Sequence, residues 1–105
     1  MFEVVPIRNK RQWYEYLQVA RATLEEVRAA LTSWTLLSVI VARLDAMEAA
    51  VADGRMPTRE DRERAIALGV IAVRSLDRPV PEYSQLLKEL AAGFESWAEL
   101  PDDAD

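Results

Sequence analysis

Cysteine and histidine are both absent from this 105-residue chain, and together the two gaps remove much of enzyme chemistry. Without cysteine there is no disulfide, no thiolate nucleophile and no Cys-type zinc site, and a reducing cytoplasm is the expected setting. Without histidine the usual acid–base group at neutral pH is missing, along with the commonest ligand for zinc, copper or iron. A helical di-iron site is excluded for the same reason, because its Glu-x-x-His motif cannot be written. Only three glycines occur, at 54, 69 and 93, so neither a P-loop nor a dinucleotide fingerprint exists. Long apolar runs are lacking too: residues 34–42 are broken by Thr35 and Ser38 and fall far short of the ~18 needed to span a bilayer. The first ten residues carry an acid and a proline and do not read as a secretory leader. The expectation is one cytoplasmic domain without cofactor or metal, large enough to fold unaided.

What charge there is lies unevenly. Seven acids (Glu82, Glu89, Glu95, Glu99, Asp102, Asp103, Asp105) stand against Lys88 alone after residue 81, a balance of −6, whereas the first 81 residues sum to +1. Nucleic acid is a poor partner for such a chain, since binding it needs a concentrated basic surface. An acidic surface suits a cationic cleft such as one that holds nucleotide phosphates; it also suits a plain solvated helix face.

Four helices can be read and no strand pattern competes. Asn9 can cap the first, with Gln12 answering as in a capping box. Trp13, Leu17, Ala20, Leu24, Val27 and Leu31 then form one apolar stripe, three and four residues apart. Thr32 or Ser33 can cap a second helix with Leu37, Ile40, Val41, Leu44, Met47 and Val51 on its stripe, closed by Asp53-Gly54. Thr58 and Asp61 frame a third. Residues 65–73 are apolar nearly all round, which predicts the most buried helix of the protein. Pro79 and Pro81 break the chain, and Pro81 suits the first turn of a fourth helix with Tyr83, Leu87, Leu90, Phe94 and Trp97 inward. Short connections favour an all-α, compact antiparallel four-helix bundle over residues 9–100. Residues 1–7 are apolar enough to pack on it as an extended arm, and residues 101–105 read as a disordered tail.

No residue set in this pattern looks catalytic. Glu25 and Glu26 diverge around their helix, and Asp45 and Glu48 face away from the stripe as surface charges. Gly69 and Gly93 lie inside helices, where glycine costs about 1 kcal/mol against alanine, and predict close helix crossings. Residues whose type disagrees with their face are the candidates for binding. Tyr14 falls on a polar stripe beside Gln18 and Arg21. Leu36 and Val39 extend the apolar face of the second helix, either as core or as a patch for a partner or a second copy of the chain. Asp77, Glu82, Glu89 and Glu95 suggest an acidic ridge along one side of the bundle.

One stretch is more specific. Leu68-Gly69, Ile71-Ala72-Val73, Asp77, Pro81-Glu82, Ser84 and Leu87-Lys88 follow in order, after a Tyr-Glu-Tyr-Leu opening at residues 14–17. In this order they resemble a small all-helical family of bacterial immunity proteins, of which a named relative neutralises a type VI secreted NAD(P)+ glycohydrolase toxin. The resemblance implies a non-enzymatic partner that occludes the active site of a cognate effector toxin domain. Its Leu-Gly and Ile-Ala-Val groups carry over as core; the candidate toxin contacts are the residues already singled out by their faces, Asp77, Glu82, Glu89, Glu95 and Tyr14. The turn Asp77-Arg78-Pro79-Val80-Pro81 is richer in proline than the family pattern, which leaves room for a different cognate enzyme. Without the resemblance, the residues alone would equally suit a helical adaptor or secretion chaperone that dimerises.

Overall fold

A computed structural model describes residues 4–30 and 34–102, except for the Trp34 side chain. These residues form five α-helices and no strand: α1 Lys10–Ala22, α2 Leu24–Ala30, α3 Trp34–Val51, α4 Arg59–Ile71 and α5 Pro81–Glu95. The helix expected over 9–31 is thus two. Thr23 divides it, its hydroxyl donating to the Val19 carbonyl at 2.8 Å, a back-bond that bends helices. Leu31 and the expected caps Thr32 and Ser33 lie outside the described residues.

The start of α1 is satisfied by three segments. The Asn9 side chain accepts the Gln12 N–H at 2.8 Å, but Gln12 replies to the N–H of Arg8, also at 2.8 Å, so the expected capping box is displaced by one residue. The Lys10 and Arg11 N–H groups donate to the carbonyls of Pro101 and Asp102 at 2.8 and 3.2 Å. These would otherwise be among the unpartnered donors of a first turn. Pro101 and Asp102 are therefore docked, where a loose tail was expected; residues 103–105 lie outside the described residues.

Asp53 and Gly54 end α3 with φ of 56° and 77°, the left-handed closure expected of this pair. Thr58 and Asp61 complete the capping box of α4: the Thr58 side chain accepts from Asp61 at 3.1 Å and Asp61 accepts from Thr58 at 2.9 Å. Beyond Ile71 the helix widens into a π turn, Ala72–Leu76, in which the Asp77 N–H donates to the Ala72 carbonyl at 3.1 Å. Pro81 then opens α5, as its sequence position requires.

The tertiary order places α5 against both α1 and α4, with α3 against α4. Trp13 is fully buried. Its indole N–H donates to the Leu90 carbonyl at 2.9 Å, and its ring meets Trp97 edge-on at 5.0 Å. Tyr83 ties α5 to α1 by donating to the Ala20 carbonyl at 2.9 Å, and burial pushes its phenol pKa up. Asp45 and Glu48, expected as surface charges, lie at the surface and grip Arg21 at 2.8 and 2.6 Å, so joining α1 to α3. The arm crosses α1 and α5: the Val5 N–H donates to the Tyr16 hydroxyl at 2.9 Å and the Ile7 N–H to Glu89 at 3.2 Å. This cover explains why Tyr16, off the predicted stripe, is buried.

Two expectations about α4 and its glycines change. A Cβ at Gly93 would come within 3.0 Å of Trp13 Cδ1, so that glycine does mark a close approach. At Gly69 the nearest atom would be Ala91 Cβ at 4.0 Å, an ordinary contact, so no tight crossing demands glycine there. Nor is 65–73 the most buried helix. Ala65, Leu68 and Ala72 are buried, while Ile66, Val70 and Val73 are 48, 43 and 56 % exposed. The neighbours α3 and α5 cover one side of α4, and no other described element covers the opposite side.

Candidate functional site

Ile66, Val70 and Val73 recur at spacings of four and three, so at 3.6 residues per turn they form one stripe. Beside them Gly69 on α4 and Ala91 and Ala92 on α5 keep the floor shallow, leaving a groove rimmed by Arg74, Lys88 and Glu95. Side chains of this size, half outside water's reach and half in it, form a contiguous apolar surface of the kind that marks an interaction site. The residues of this stripe belong to the stretch read above as core. Apolar composition all round does not reveal which side goes uncovered, so the sequence held no signal for it.

At the π turn, four residues of the same stretch meet. The Ser84 hydroxyl is fully buried and reaches both the Ala72 carbonyl at 3.0 Å and the carboxylate of Asp77. Lys88 donates to the same carboxylate oxygen at 2.8 Å. The Lys88 ammonium, then the Ser84 hydroxyl, hold the Asp77 carboxyl below its usual pKa. Asp77 is thus a lock between the end of α4 and the start of α5, and its partner Lys88 stands on the rim of the groove. A bond made through Ser84 and Lys88 also fixes the Pro-rich turn, because both partners lie on the far side of it.

The remaining candidates do not line up into one ridge. At 3.6 residues per turn, Glu82 and Glu89 fall within about 20° of each other on α5, whereas Glu95 lies about 120° from Glu89 and within about 20° of Lys88. Glu95 therefore belongs with Asp77 and Lys88 on the α4 side. Glu89 faces the arm, accepting from Ile7 and, at 3.4 Å, from Gln85. Glu82 stands on the rim of a second groove formed by α1, α2 and the start of α5. Tyr14, expected on a polar stripe, packs against the core instead. Its ring lies edge-on to Trp13 and Trp97 at 5.2 and 5.8 Å, its hydroxyl reaches the Val51 carbonyl at 3.4 Å, and burial, then the charge of Glu48, raises its pKa. Leu36 and Val39, for which core and patch were both open, are half-buried.

Among the described residues no group of three or more acidic side chains is placed to hold a metal, and no helix is long and apolar enough to cross a membrane. A family model described as Tsi6 matches residues 12–96, a span that includes the stripe, the π turn and the lock. No curated protein and no solved structure matches the chain.

Proposed function

The chain belongs to the Tsi6 family of type VI secretion immunity proteins, and from that premise we propose that it binds its cognate effector toxin in the cytoplasm and occludes the toxin's active site. The toxin is an NAD(P)+ glycohydrolase in this reading, and inhibition is stoichiometric and non-enzymatic.

The observation that carries the reading is the uncovered stripe of Ile66, Val70 and Val73. Completing the burial of three half-exposed aliphatic side chains yields roughly 1 kcal/mol each, about 3 kcal/mol together, or somewhat more than a hundredfold in affinity. That suffices for an anchor and not for a whole interface, so the charged rim has to contribute as well. Glu95 on the rim of this groove and Glu82 and Glu89 on the other flank of α5 leave that helix acidic on balance, with Asp77 already paired to Lys88; net acidity of this kind speeds approach to a cleft built for phosphates. Tyr14, packed on the core, contributes at most its partly exposed edge. An uncovered stripe would by itself suit an adaptor or chaperone as well, and it is the family membership that favours immunity.

The test is cellular NAD(P)+ when the toxin domain encoded beside this gene is expressed alone, with this protein, and with Val70→Asp. Preservation of the pool by the wild type and its loss with the variant, whose melting temperature stays near the wild type, is the expected result. A toxin that kills without lowering NAD(P)+ yet is still neutralised would assign a different substrate. No protection by the wild type would refute immunity.

A further inference from the structure

The second groove lies on the opposite flank of α5 from the stripe. Val19, Thr23 and Val27 from α1, α2 and the residue between them face Val80, Pro81, Tyr83 and Leu86 from the start of α5, and Glu26 and Glu82 stand on its rim. Its volume is about 250 Å³, below the roughly 300–1,000 Å³ of small-molecule sites, so it accommodates one side chain better than a cofactor.

Its polar inventory is unbalanced. The Thr23 hydroxyl is already committed to the Val19 carbonyl and the Tyr83 hydroxyl to the Ala20 carbonyl. Glu26 and Glu82 form no ion pair or hydrogen bond with a described residue, in contrast to Glu25, which pairs with Arg28. No lysine or arginine lines the groove. Arg21, whose charge is felt by the Tyr83 hydroxyl, is itself held by Asp45 and Glu48. What remains is an apolar slot with two free carboxylates at its mouth and no cation to answer them.

The chemistry complementary to that arrangement is a long aliphatic stem ending in a positive charge. We infer that this groove receives an arginine or lysine side chain of the cognate toxin, its stem against Val19, Val27, Val80 and Leu86 and its charge between Glu26 and Glu82. This rests on the immunity reading above and adds to it a second contact, separate from the aliphatic stripe, that discriminates among toxins by the presence of a basic residue at one place. It also gives the proline-rich turn a role: Val80 and Pro81 form one wall of the slot, so a turn of different shape would fit a different toxin.

The experiment is titration calorimetry of the purified toxin domain against the wild type, Glu26→Gln/Glu82→Gln and Glu60→Gln, at low and at high salt. Both rim carboxylates are exposed, so the variants are expected to fold, which thermal melts check. The double variant is expected to bind roughly tenfold or more weakly with a reduced dependence on salt, while Glu60→Gln binds as the wild type does. Equal or tighter binding by the double variant, the result an apolar occupant would give, overturns the inference and leaves the immunity reading standing. Failure of the wild type itself to bind overturns both.

Discussion

Alanine substituted at each of the two helical glycines should move stability in opposite directions. The intrinsic helix term is the same in both, a gain of about 1 kcal/mol over glycine. At Gly69 the new methyl meets only Ala91 Cβ at 4.0 Å, so the gain stands nearly whole. At Gly93 it would lie 3.0 Å from Trp13 Cδ1 and 3.4 Å from Ile7 Cδ1. The Trp13 ring cannot yield cheaply, because it is fully buried, bonded to Leu90 through its N–H, and flanked by the rings of Tyr14, Phe94 and Trp97. Overpacking of that kind costs about 1–3 kcal/mol, so Gly93→Ala is destabilised by up to about 2 kcal/mol after the helix gain. Each kcal/mol shifts the midpoint of a domain this size by roughly 4–8 °C. Thermal and urea denaturation of both variants against the wild type read the difference, in which the helix term cancels and packing alone remains. A Gly93→Ala protein melting at or above the wild type would refute the packing assigned to Trp13.

Three further outcomes follow from the same contacts. The Asp77 carboxyl titrates below its unfolded value, so its stabilisation is present above the ordinary aspartate range near pH ~4 and disappears as pH falls through the lower folded value. Asp77→Asn should weaken the fold at neutral pH and flatten acid unfolding in that window, and an unchanged acid profile would refute the lock. Deleting residues 101–105 removes two carbonyl partners from the first turn of α1, a loss of about 1–2 kcal/mol, to be seen as a lower urea midpoint and faster amide exchange at Lys10 and Arg11. Thr58→Ala breaks the capping box of α4 and should cost about 1 kcal/mol in the same denaturation assay; a midpoint equal to the wild type would show that solvent caps that end equally well.

The sequence alone determined those features that depend on near neighbours. Asn9 and Thr58 as caps, Asp53-Gly54 as a stop and Pro81 as a first-turn residue are local chemistry, settled within three or four residues of each position. The inward stripes of α1, α3 and α5 were legible for the same reason, since one periodic face has one core to meet. Residues 65–73 offered no such asymmetry: when every side is apolar, only the arrangement of α3 and α5 decides that Ala65, Leu68 and Ala72 go inside and Ile66, Val70 and Val73 stay out. Thr23 gave no breaker signal of the strength of proline or glycine, so the division of α1 from α2 was also hidden. Likewise the acidic residues of α5 were visible as a composition, but their division between two flanks, with Asp77 locked to Lys88, Glu89 turned to the arm and Glu82 left free over a slot, depends on partners many residues away. Local propensity acts along the chain, whereas coverage and charge pairing act across it, and only the folded arrangement fixes the second.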